Sequence, residues 1–216
     1  MKQPSLFVSG RFGPEEKPQF DDTVRLRVLI TVKAAPQPSE KYGETVCVAG
    51  ISIDPQRPGW IRLYPINFRE LGDAATFKKY DVISVDAKPA RRDQRRESWN
   101  PFMGSMKNEG NLKSWRQRRE WVDEYVEDSM CRIYQATRER PDAQSLALIR
   151  VKDIGRLKIA PHPGWGKEEQ RKIDAYVRQL GLFGKPDLRP CSLPGFKEPI
   201  TIVATIVGAE DINRGC

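Results

Sequence analysis

The stretch TVRLRVLITVKAA, residues 23–35, constrains this chain more than any other. It sets Val24, Leu26, Val28, Ile30 and Val32 on one side and Thr23, Arg25, Arg27, Leu29 and Thr31 on the other. A period of two is the mark of a strand, because successive side chains leave opposite faces of the pleat. A strand with one apolar face must pair and be covered, so the chain is committed to a sheet. Turn chemistry in PQPSEKYG ends this strand. ETVCVAGISI (44–53) and GWIRLYPI (59–66), separated by DPQRPG, read as a hairpin or meander. YDVISVDAKPA (80–90) is a fourth strand, with Ile83, Val85 and Ala87 facing away from Val82, Ser84, Asp86 and Lys88. Four consecutive strands with short links favour antiparallel pairing over repeated β-α-β units.

Helical periodicity appears later. NLKSWRQRREWVDEYVEDS (111–129) carries an apolar stripe of Trp115, Val122 and Val126 flanked by Trp121 and Tyr125. A shorter helix is expected around SMCRIYQATRE, ended by Pro141. GKEEQRKIDAYVRQLG (166–181) is a third, with acids in its first turn, Ile173, Tyr176, Val177 and Leu180 turned inward, and Gly181 as its stop. Strands are expected at 144–151, at RLKIA and, buried, at PITIVATIVGA. The fold class is therefore α+β, a mostly antiparallel curled sheet or partial β-barrel with about three helices packed outside. Residues 1–22, with Pro4, Pro14 and Pro18 and no periodicity, read as a flexible N-terminal arm pinned by Phe7, Phe12 or Phe20. Residues 23–216 form a single domain with a basic helical insertion around 90–140.

Composition enters through charge. Lysine and arginine number 37 against 29 acids, a net +8. Such a surplus favours encounter with polyanions and says nothing about fold. The four cysteines, Cys47, Cys131, Cys191 and Cys216, form no C-x-x-C pair, and His162 is the sole histidine, so no structural zinc site is expected. Free thiols in a reducing cytoplasm are the expectation. No run approaches the roughly eighteen apolar residues of a membrane span, and the start has no signal-peptide core.

The surplus is concentrated. Between Lys88 and Glu120 stand ten cations and four acids, so 33 residues hold a surplus of six. At its centre is ARRDQRRESWNP (90–101). Arginine forms forked bonds to phosphate, and indoles stack on unpaired bases. The phosphate-binding residues expected from the sequence are Arg91, Arg92, Arg95, Arg96, Lys113, Arg116 and Arg119, with Trp99 stacking on an unpaired or flipped base. Cations near the start of helix 111–129 and acids near its end oppose the macrodipole, an order that a bound polyanion would reward. If four phosphates are neutralised, log K falls with log salt at a slope near about −3.6 on duplex. The ordinary reading beside it is a solvated arginine-rich loop with no partner. The partner is nucleic acid, DNA or RNA; no membrane is implicated. A second basic grouping, Arg150, Lys152, Arg156 and Lys158, extends the track or simply faces water.

Catalytic signatures are sparse. Asp86-Ala87-Lys88 resembles the D-x-K strand of metal-dependent nucleases of the restriction-enzyme type, where carboxylates hold Mg²⁺ or Mn²⁺ and the lysine orients water. Asp54 would supply the second carboxylate. The bland reading of Asp86 and Lys88 is a salt bridge across the sheet. GWGKEE lacks the upstream glycine and the Ser/Thr of a phosphate loop, and no G-x-G-x-x-G or G-x-S-x-G is present. The reading is a non-enzymatic nucleic-acid-binding protein; the alternatives are the nuclease with Asp54, Asp86 and Lys88, or an adaptor binding an acidic protein partner.

Overall fold

A computed structural model of the chain describes residues 17–127, 130–161, 164–182 and 200–208. Strand β1 (Val24–Lys33) pairs with two neighbours, antiparallel to each. On one edge it meets β3 (Gly43–Ser52), aligning Val28 with Ser52 and Ile30 with Gly50. The short β2 (Gln37–Ser39) folds back on the start of β3. On its other edge β1 meets β5 (Asp81–Pro89), from Val24 opposite Ala87 to Leu29 opposite Val82.

Closure comes from the far side. Strand β4 (Trp60–Ile66) pairs antiparallel to β3, and β6 (Ser98–Pro101) runs parallel to β4 while pairing antiparallel to β5. The order β1-β3-β4-β6-β5-β1 is a closed five-stranded mixed barrel. Strand β7 (Lys107–Asn111) pairs with the first half of β5, and β6 takes the second half. The expected partial barrel is thus present, and β6 seals it.

The alternation read from the sequence sorts the core. Leu26, Val28 and Ile30 join Val46, Val48, Leu63, Ile83 and Val85 in one buried cluster. Leu29, Ile51 and Val82 point the other way and join Trp60, Val122 and Tyr125 in a second. Helix α1 (Trp115–Val122) and the 3-10 turn Asp123–Tyr125 cover that outer cluster. The Tyr125 ring meets Trp60 edge-on, with centroids 6.3 Å apart, and its hydroxyl accepts from the Gly59 amide.

Gly50 marks the tightest approach between strands. A Cβ there would stand 2.3 Å from the Leu29 carbonyl oxygen, so only glycine lets β1 and β3 lie this close. Beyond α1 come β8 (Val126–Glu127), α2 (Met130–Glu139) and β9 (Leu148–Ile149), with β8 and β9 paired in parallel. Strands β10 (Val151–Pro161) and β11 (Ile200–Gly208) form a separate antiparallel ribbon. Helix α3 (Lys167–Leu182) docks on β2 and β3, where the Tyr176 ring fills the space a side chain would occupy at Gly43, whose φ is +72°.

Three expectations are corrected. Helix 111–129 shrinks to Trp115–Val122: β7 holds the chain extended to Asn111, and Ser114 starts the helix through a capping box with Gln117. Val126 is extended against Leu148. Trp115, placed by periodicity on a buried stripe, is exposed. The strand expected at 144–151 reduces to Leu148–Ile149 before β10 begins. Cys47 is a free thiol as expected, whereas Cys131 is disulfide-bonded. No helix among the described residues is long and apolar enough to cross a membrane.

Candidate nucleic-acid interface

The arginine loop, residues 90–97, joins β5 to β6 and is built around an amine. Lys17 Nζ donates to the carbonyls of Asp93, Arg95 and Ser98 at 2.7, 2.8 and 3.1 Å. Burial pulls this ammonium below its ordinary value, while Asp93 and Glu97 pull it back up and Arg91 depresses it further. Arg91 reciprocates. It bonds Asp21 Oδ1 at 2.6 Å and caps the carbonyls of Pro18, Gln19 and Phe20.

Asp93 is the hub on the other side of the loop. Its carboxylate accepts from Arg95 Nε and Nη2, from Ser98 Oγ, and from Arg62 Nη1 at 3.1 Å. Arg62 also donates to Cys47 Sγ at 2.9 Å. Arg96 reaches the Asp142 carbonyl through both its amide and Nε. Of the four loop arginines expected to meet phosphate, Arg91, Arg95 and Arg96 bond carbonyls and carboxylates of their own chain and so shape the loop. Arg92 is exposed and makes no hydrogen bond or ion pair with the described residues.

Trp99 is likewise relocated. It lies on β6, only 5% exposed, opposite Leu63 and 6.4 Å from the Phe20 ring. It is a wall and not an open stacking platform. Lys113 and Arg116 are exposed near the start of α1, and Arg119 pairs with Asp123 at 2.9 Å. Arg118 lies 3.9 Å from the Tyr80 ring centroid and bonds the Leu112 and Lys113 carbonyls. None of these α1 cations is among the lining residues of the cleft described next, so the expected continuous platform falls into two parts.

That cleft, about 1720 Å³, opens between the arginine loop, the ends of β4, β5 and β6, and α2. Its lining includes Arg62, Lys88, Arg91, Arg92, Arg95 and Arg140 against Asp21 and Asp93, a surplus of four positive charges. Lys88 and Arg140 are exposed, and Lys88 Nζ stands 5.9 Å from the Phe102 ring centroid. Three lining aromatics face solvent: Tyr64 is 44% exposed, Phe102 46% and Tyr134 53%. Sequence reasoning missed all three. Tyr64 and Phe102 each adjoin a proline near a strand end, Pro65 in β4 and Pro101 in β6, and that adjacency was the only available signal.

The nuclease constellation does not assemble. Asp86 bonds Arg25 Nη1 at 3.0 Å, within an outer lattice where Arg27 holds Glu109. Hydrogen bonding from Arg27 is the leading cause that holds the Glu109 carboxyl below its ordinary range. Asp54 Oδ1 caps the turn at Gln56. Asp54 follows β3 and Asp86 is on β5, with β1 between them, so the two carboxylates are about two strand spacings apart, roughly 10 Å. Among the described residues no group of three histidine, cysteine, aspartate or glutamate side chains could hold a metal. His162 lies outside the described residues, as do the side chains of Lys152, Arg156 and Lys158.

Two family models match parts of the chain. Residues 24–124 match one described as a domain of unknown function (DUF8758), and residues 126–198 match another, DUF8757. The first span contains the whole barrel and α1; the second begins just after the 3-10 turn at Tyr125. No curated protein and no solved structure matches the chain significantly.

Proposed function

We propose that the protein binds single-stranded nucleic acid in the cleft beside the arginine loop. The observation that carries this reading is the pairing, in one concavity, of a surplus of four positive charges with three exposed aromatic rings. Unpaired nucleic acid needs both: cations track its backbone, and aromatic faces stack its bases. Lys88, Arg92 and Arg140 are the cations free to meet phosphates. Tyr64, Phe102 and Tyr134 offer the stacking faces in place of Trp99. The fixed loop arginines contribute field without donating directly to the ligand, since a positive cleft concentrates an anionic strand before contact.

The test is binding of labelled twelve-nucleotide single strands and of the matching duplexes to the wild type, Tyr64→Ala and Phe102→Ala. Loss of a stacking contact weakens binding by about 1–3 kcal/mol per base, or roughly five- to 150-fold. The reading expects that loss on single strands and a preference for them over duplex. Equal affinity for duplex with no effect of either substitution would contradict it.

A further inference from the structure

Strand β5 has cations at both ends. Its last residues, Lys88 and Pro89, line the cleft, and its start follows Lys78, Lys79 and Tyr80. Nine residues of extended chain put roughly 25 Å between the two ends. At the start, hydrogen bonds hold two segments side by side. The Asn111 side-chain amide donates to the Lys79 carbonyl at 3.1 Å, and the Leu112 amide donates to the Tyr80 carbonyl at 2.9 Å. Arg118 reaches back from α1 to the Lys113 carbonyl, also at 2.9 Å.

This junction gathers cations without gathering acids. Residues 78–81 and 111–118 carry Lys78, Lys79, Lys113, Arg116 and Arg118 against Asp81 alone, a surplus of four that equals the cleft's. Asp81 is turned inward: it is 3% exposed, and its carboxylate accepts from Asn108, Asn111 and the Lys78 amide. Lys79 Nζ and the Arg118 guanidinium stand 5.0 and 3.9 Å from the centroid of one ring, Tyr80. Two cations held at one ring repel each other and together attract an anion. Lys113 and Arg116 are exposed, and their side chains make no hydrogen bond or ion pair with the described residues.

The aromatic member is Trp115, between Lys113 and Arg116 in the chain and 56% exposed. Tryptophan is on average a highly buried residue. The other apolar side chains of α1, Trp121 and Val122, pack on the barrel. The open face of α1 therefore offers one indole and no apolar strip. A bilayer needs such a strip. A single indole among cations suits one stacked base with phosphates on either side.

We infer that this junction is a second single-strand site, so that one molecule holds two strands at once. The first strand rests on the reading of the cleft. The second stacks a base on Trp115 and gives its phosphates to Lys79, Lys113 and Arg116. Between the two sites the arginines of the outer face are already paired, Arg25 with Asp86 at 3.0 Å and Arg27 with Glu109 at 2.8 Å. No unbroken row of open cations joins one end of β5 to the other, so the two sites are separate. The activity that follows is the bridging of two strands.

The test counts single-stranded oligothymidylate hexamers bound per full chain by isothermal titration at low salt. It compares the wild type with a junction variant, Lys113→Gln, Trp115→Ala, Arg116→Gln, and a cleft variant, Lys88→Gln, Arg92→Gln, Arg140→Gln. The three junction side chains are exposed and unbonded, so the fold does not depend on them. The wild type should bind two hexamers per chain and each variant one. Trp115→Ala alone should weaken the junction site about five- to 150-fold. One hexamer per wild-type chain, held equally well by the junction variant, would overturn the second site and leave the cleft reading intact. One hexamer that the junction variant loses and the cleft variant keeps would remove the cleft reading and the bridging with it. Polyglutamate bound by the wild type and lost by the junction variant, with no second hexamer, would assign the junction to an acidic protein and overturn the inference. A wild type that binds no hexamer would remove both sites.

Discussion

A single ammonium group organises the candidate site. Lys17 satisfies three carbonyls of a loop that has almost no secondary structure of its own. Lys17→Met keeps the stem and removes the donors, leaving those carbonyls to compete for water. The expected loss is about 1–3 kcal/mol in chemical denaturation, with faster amide exchange across 93–98; unchanged stability and exchange would contradict this role. Asp81 is a comparable anchor at the first position of β5. Burial alone would raise its pKa, but hydrogen bonds from Asn111, the Lys78 amide and Asn108 outweigh burial and hold it below the ordinary value. A depressed carboxyl stabilises the fold above its unfolded pKa, near about 3.9, and loses that contribution as pH falls through the folded value. Wild-type stability should therefore decline more steeply below pH of about 4 than that of Asp81→Ala, as measured by denaturation across an acid series. Little of this was legible from the chain. Arginine-rich loops invite a phosphate reading, yet charge counting is blind to whether a guanidinium faces outward or caps a nearby carbonyl. Arg91 and Arg92 are adjacent and have opposite fates.

The strands with strong alternation were legible, and so were α2 and α3. β1, β3, β4 and β5 appear within two residues of their expected bounds because each buries an apolar face. β6 and β7 were not legible. Ser98–Pro101 and Lys107–Asn111 are short and polar, and they are strands only because β4 and β5 present open edges to them. Local propensity has no term for that, since tertiary pairing decides it. The helix at 111–129 failed for the converse reason: its periodicity was real over one stretch and was overridden at both ends by strand pairing. The β1–β3 pairing offers a sharp check. Gly50→Ala sets a methyl against the Leu29 carbonyl and Val28 Cγ1, neither of which can swing away cheaply. The expected cost is about 1–3 kcal/mol or more, visible as a lower denaturation midpoint. A neutral Gly50→Ala would mean that the strands lie farther apart than described.

At the scale of the molecule, barrel closure brings groups from distant parts of the chain to one mouth: Tyr64 from β4, Lys88 from β5, Phe102 after β6, and Arg140 after α2. The net +8 pointed to a polyanion, and the cleft gives part of that charge a concave address. The central claim is that free cations in this cleft contact a phosphate backbone. The most direct measurement is the dependence of single-strand affinity on salt for the wild type and for the triple variant Lys88→Gln, Arg92→Gln, Arg140→Gln. With three phosphates engaged, the wild-type plot of log K against log salt should have a slope of about −2, and the variant should lie near zero. A flat wild-type line, or a variant that keeps the wild-type slope, would contradict the account.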